Sequence, residues 1–172
     1  MRTPYEKLAA ELLEAGKREF LEKGFMGASM RSIAAAVGAT TGALYRYYLD
    51  KEALFDALVE EPASTLEASY REQQRSYADQ PLQSQLDGLP EVSDESAAWM
   101  MDYIYDHFDA FKLIACCSTG TRYEHYIDTL IDIESQSGRR LIDRMKEEGV
   151  PVQDMDDELI HILSSAGVIH IG

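Results

Sequence analysis

Between Thr40 and Lys51 the chain sets Thr41, Gly42, Ala43, Tyr45, Arg46 and Tyr47 close together. Placed on a short helix, Thr41, Tyr45, Arg46 and Tyr47 form one polar, aromatic and basic outer face. Such a face differs from the Glu/Lys mixture of an ordinary solvated helix. Gly42 removes a side chain near the helix start, so that another backbone, such as that of a DNA duplex, could come close. The chemistry on offer is hydrogen bonding and close contact rather than proton or group transfer.

Other residues could do different chemistry. His125 stands beside Glu124, and Asp128 follows Glu124 by one helical turn, the best case for a catalytic His–carboxylate pair. Acids at that spacing are far commoner as a solvated helix face. The chain holds no phosphate loop, nucleophile elbow or paired-cysteine zinc motif, so it reads as a non-enzyme. His107, His125, Cys116 and Cys117 match no metal-ligand spacing, and neither a metal nor a cofactor is expected. The adjacent Cys116 and Cys117 are poorly placed for an unstrained disulfide and read as small apolar residues of a buried helix.

The elements that would carry these residues are helical. Tyr5, Leu8, Leu12, Leu13, Gly16 and Phe20 recur at helical spacing and predict a first helix from Thr3 to Lys23, stopped by Gly24. Ser29 is placed as an N-cap for a short second helix with Met30, Ile33, Ala34 and Val37 on one face. Gly38 supplies the turn, Thr40 caps a third helix through Tyr48, and Leu44 anchors that helix inward. Asp50 caps a long helix over Lys51–Tyr77, in which Pro62 predicts a kink or break near Glu60–Glu61. Residues 79–93 read as a loop-rich connection with one weak helical stretch around Leu82, Leu86 and Leu89. Ser93 then caps a helix to Phe108, and Asp109–Cys117 forms a short one. Gly120 marks a break, Arg122–Glu148 reads as one helix ended by Gly149 and Pro151, and Asp154, Asp156, Asp157 and Glu158 open the last. No strand-like alternation appears, so the class is all-α.

Charge is divided unevenly. The net charge is −15, yet residues 1–51 hold eight basic and six acidic residues, while the other 121 hold eight basic and 25 acidic. A head with local positive potential on an acidic body suits DNA contact confined to the head. No apolar run approaches the roughly 20 residues of a membrane span, and the charged start is unlike a signal peptide. A cytoplasmic protein without a membrane partner is expected.

Two short helices joined by a tight turn and packed on a longer one make a helix-turn-helix. The residues that carry it are Phe20, Lys23–Gly24–Phe25, Ser29, Ile33–Ala34, Val37–Gly38, Thr40, Gly42–Ala43–Leu44–Tyr45, Tyr47–Tyr48, Lys51–Glu52 and Leu54–Phe55. This segment closely resembles the N-terminal domain of TetR-family regulators. The resemblance implies a DNA-binding head over residues 1–50 and a helical regulatory and dimerisation domain over 51–172. It implies that Thr41, Gly42, Ala43 and Arg46 meet base edges, where Arg suits guanine and Thr or Ala a thymine methyl. Tyr45, Tyr47 and Lys51 would grip phosphate, and Ser29 and Arg31 would flank the DNA backbone, with Thr40 holding the helix start.

The same resemblance implies a small-molecule effector site in the C-terminal helices. Its candidate lining is Tyr70, Gln74, Trp99, Tyr103, His107, Cys116, Tyr123, His125 and Tyr126, a tyrosine-rich set suited to a partly polar cavity. It also implies a homodimer on a near-palindromic double-stranded operator, with third helices about 34–36 Å or somewhat more apart. Effector binding would shift the Lys51–Tyr77 helix and move the reading heads out of register. A regulator switched by a protein partner is the alternative. The apolar run Val168–Ile171 near the end leads to the expectation of further residues, and of a final helix, beyond Gly172.

Overall fold

The computed structural model describes residues 3–152 and 155–169. Among the described residues all regular structure is helical: α1 Pro4–Gly27, α2 Met30–Ala36, α3 Thr41–Leu44, α4 Lys51–Ala78, α5 Leu82–Asp106, α6 Phe108–Cys117, α7 Tyr126–Glu147 and α8 Asp157–Ile169. Asp154 and the segment 170–172, both used in the sequence reading, lie outside the described residues.

Local chemistry explains most boundaries. Thr3 and Glu6 close a capping box at the start of α1, with Pro4 at its first position. The α1 backbone leaves helical geometry at Gly24 (φ 69°) and resumes to Gly27, so the expected stop is a kink. Ser29 caps α2 by accepting from the Ser32 N–H, Thr40 caps α3 by accepting from Ala43, and Asp50 accepts from Ala53 at 2.8 Å. Regular α-helix in the third element ends at Leu44, short of Tyr48. Backbone turns continue it, with Tyr47 and Tyr48 both donating to the Leu44 carbonyl.

Three expectations are corrected. α4 runs unbroken through Pro62. The residue is buried in a stripe with Val59, Ala63 and Leu66, whose packing offsets the roughly 3 kcal/mol that an internal proline costs. The 79–93 connection is mostly helix: α5 begins at Leu82, and Ser93 falls inside it rather than at a cap. The carbonyls left open at and just after the end of α4 find one near partner and one distant one. Gln85, 2% exposed, donates to the Ala78 and Gln80 carbonyls at 3.1 and 2.7 Å, and Arg144 donates to the same two. α7 starts at Tyr126, not Arg122, because residues 118–125 form turns in which Thr121 donates to the Ser118 carbonyl and Glu124 accepts from Gly120.

Packing sorts the chain into two compact units, Met1–Ser64 with His107–Tyr126 and Thr65–Asp106 with Ile127–Gly172. In the first, α1 packs on α2 and α6, and α2 on α3. Its centre is aromatic: Phe20, Phe25 and Phe55 meet one another, and Tyr123 meets Phe55. Thus α6, which sequence assigned to the regulatory half, packs against the first helix, and Lys17 of α1 pairs with Asp109 of α6 at 2.8 Å. The second unit buries Leu66, Tyr70, Leu82, Met100, Leu130, Ile131, Ile133, Ile142 and Ile160.

Candidate nucleic-acid interface

α2 is seven residues and α3 four, both too short to persist alone. They hold because Met30, Ile33, Ala34 and Leu44 are buried beneath them, Ile33 and Leu44 completely. Gly38 makes the turn with φ 68°, a conformation that side chains disfavour, and Ala39 donates back to the Ala34 carbonyl at 2.9 Å.

This frame sends the predicted face outward. Ser29, Arg31, Thr40, Gly42, Tyr45 and Arg46 are exposed, and Thr41, Ala43 and Tyr47 are half-buried. Tyr48 is also half-buried, and burial pushes its phenol up, as suits a ring used for packing. A Cβ built on Gly42 would meet only Thr40 Oγ1, at 4.0 Å. The fold therefore has room for a side chain at 42, and the φ there is ordinary. Glycine is nonetheless unfavourable inside a helix by about 0.5–1 kcal/mol against alanine.

Lys51 is placed differently from the rest. Its ammonium donates to the carbonyls of Phe25, Ala28 and Met26 at 2.6, 3.2 and 3.4 Å, and lies 4.5 Å from the Phe25 ring centroid. It thus ties the start of α4 to the open carbonyls at the end of α1, where a cation is favoured by the helix dipole.

Two residues at this surface escaped the sequence reading. Glu19 is 9% exposed and accepts from the Ser29 N–H and from Lys23. Burial raises its pKa, but the Lys23 ammonium and the Ser29 N–H outweigh that and hold the carboxyl below its usual range. The signal was present: Glu19 sits at i+7 from Leu12, on the apolar face of α1. Tyr5, counted with that apolar face, is instead 59% exposed and stacks on Tyr47.

The effector-site candidates divide between the units. In the second, the Tyr70 hydroxyl donates to Glu134, and Gln74 donates to the same carboxylate oxygen at 2.7 Å. Burial and then the Glu134 charge push the Tyr70 phenol far above its ordinary value. Glu134 was not anticipated; it falls among the Ile131 and Ile133 positions of α7. Gln74 also lines a cleft of about 340 Å³ with Arg75 and Ile133. Trp99 stacks on Tyr103 with centroids 5.3 Å apart. In the first unit, Tyr123 and Tyr126 are buried, and the Tyr126 hydroxyl donates to the Ala63 carbonyl at 2.8 Å. His107 and Cys116 are there too, at the two ends of α6, with Cys116 and His125 exposed. Among the described residues no group of three His, Cys, Asp or Glu could hold a metal ion, and no helix is long and apolar enough to cross a membrane.

Known proteins share this head. The family model of bacterial regulatory proteins, tetR family, matches residues 12–58. The match takes in α2, α3 and the start of α4, the segment that holds the outward face. Over 56 residues it is 41% identical to the HTH-type transcriptional repressor AcnR of Corynebacterium diphtheriae, covering 33% of this chain and 30% of that protein. Over 72 residues it is 32% identical to the HTH-type transcriptional regulator UidR of Escherichia coli K12, covering 42% and 37%. The matched segment spans about a third of these relatives' length. The crystal structure of the probable transcriptional regulatory protein RHA5900 aligns with a TM-score of 0.55 and 21% identity, over 95% of this chain and 84% of that one. That likeness is one of fold, and it reaches well past residues 12–58.

Proposed function

We propose that this TetR-family chain is a transcription regulator that reads a double-stranded operator through α3. The observation that carries the reading is the outward face of Thr41, Gly42, Ala43, Tyr45 and Arg46, on α3 and the turns that continue it, anchored by the buried Leu44 and the Thr40 cap. Arg46 is assigned to a base edge, and Tyr45 and Tyr47 to phosphate, with Ser29 and Arg31 beside the strand and Thr40 fixing the helix start. Repression is the favoured direction, since AcnR is named a repressor. A homodimer suits a palindromic site. The exposed Leu159, Ile162 and Leu163 of α8 support such pairing. The effector site is assigned to the second unit, around Tyr70, Gln74 and Glu134, where a half-buried carboxylate and a buried phenol would select a polar small molecule. Release follows only if that molecule binds the non-DNA-binding state more tightly.

The test is selection of duplexes from a random-sequence pool, followed by affinity measurement. Arg46→Ala should weaken the selected duplex by about 1–3 kcal/mol and relax the preference at one base pair. Unchanged affinity and preference would remove Arg46 from the reading face.

Lys51 acts through the α1–α4 corner in this reading, with its three donors already spent on carbonyls. Lys51→Met keeps the stem and loses those bonds. It should lower unfolding stability by about 1.5–3 kcal/mol, read from a urea midpoint. The slope of log affinity against log salt should stay at the wild-type value. A slope smaller by about one would return Lys51 to a phosphate contact.

A further inference from the structure

We infer that Tyr5, on the first turn of α1 and outside the matched segment 12–58, is a positioning residue for Tyr47 on the DNA-facing surface. The inference rests on the DNA-binding reading above. The two rings stack with centroids 4.5 Å apart and planes 28° apart.

Tyr47 needs such a support. It follows a helix of only four residues, in the run of turns that leads to α4, where its backbone makes one bond back, to the Leu44 carbonyl. A tyrosine that must hydrogen-bond a phosphate loses rotamer freedom on binding, and a ring already held in place loses less. The support itself is anchored. Glu6 donates its N–H to Thr3 Oγ1 at 3.2 Å, and the Thr3 N–H donates to the Glu6 carboxylate at 2.7 Å, so the turn bearing Tyr5 is capped on both sides. Tyr5 does not serve the core: it is 59% exposed, whereas the buried face of α1 is Leu12, Ala15, Gly16, Glu19 and Phe20. Proximity of Tyr5 also adds to the upward shift of the Tyr48 phenol, after burial, which gathers three tyrosines into one patch.

The experiment uses the full chain and a duplex enriched from a random-sequence pool by the wild-type protein. Tyr5→Ala should weaken binding about two- to tenfold, the range of an aromatic stack, and Tyr5→Phe should keep wild-type affinity because it keeps the ring. In the Tyr47→Ala background, Tyr5→Ala should add nothing. In the DNA-free protein, Tyr5→Ala should shift the Tyr47 ring protons by removing a ring current. Tyr5→Phe as weak as Tyr5→Ala would give the hydroxyl a contact of its own and overturn the positioning role. So would a full additive loss on Tyr47→Ala, or Tyr47 protons that do not move. Failure of the wild type to enrich any duplex would instead overturn the DNA-binding reading, and this inference with it.

Discussion

Phe55→Ala is expected to destabilise the protein by about 3–5 kcal/mol, the largest stability loss foreseen for a single side chain here. Phe55 is 0% exposed. Its ring meets Phe20 edge-on at 5.1 Å and Phe25 edge-on at 5.6 Å, and Tyr123 lies at 6.1 Å. These partners come from α1, from the segment after its kink, and from the turn before α7. Truncation therefore leaves a cavity where three chain segments converge, and rings of this size cannot collapse to fill it. The loss should appear as a lower urea midpoint for the first unit. Trp99, the single tryptophan, belongs to the second unit, so its fluorescence and the far-ultraviolet helical signal report different parts of the chain. In the variant the helical signal should begin to fall before the Trp99 signal moves. A loss below about 1 kcal/mol would mean that the aromatic centre repacks around alanine.

The same cluster shows what a sequence can reveal. Phe20 stood out by helical spacing and Phe25 and Phe55 through the family resemblance, and the caps at Ser29, Thr40 and Asp50 were legible because each bond spans only three residues. The outer face of α3 was legible for the same reason: side-chain direction on a short helix follows from the anchor at Leu44. What stayed hidden depends on partners far along the chain. The α4–α5 corner closes because Gln85 and Arg144 satisfy carbonyls at 78 and 80, and Arg144 lies 64 residues or more away from them. Local turn signals at Pro81, Gly88 and Pro90 therefore pointed to a loop where helix forms. Pro62 is the same case, with packing overriding a local penalty. At the interface, the ammonium of Lys51 was predictable in charge but not in destination, since the Phe25 carbonyl is 26 residues away. Tyr5 met Tyr47 across 42 positions, and helical periodicity has no means of pairing such residues.

Gly42 separates stability from recognition more sharply than any other position. A Cβ there faces open space apart from Thr40 Oγ1 at 4.0 Å, and Gly42 is exposed. Nothing inside the protein asks for glycine. Replacing it by a better helix former should hold or raise stability, by up to about 1 kcal/mol for Gly42→Ala. A glycine here serves the molecule where another surface approaches the α3 backbone closely. On the DNA-binding reading that surface is the wall of the major groove, and added atoms would collide with it. Gly42→Ala should weaken the selected duplex modestly. Gly42→Leu should cost on the order of 1–3 kcal/mol or more, the scale of inserting methylenes into a packed contact. The two variants should melt at or above the wild-type temperature while losing affinity in order of side-chain size. Equal affinity for glycine, alanine and leucine at this position would show that α3 does not lie against the duplex through its first turn. Arg46 would then have to reach the bases from a different approach of the helix.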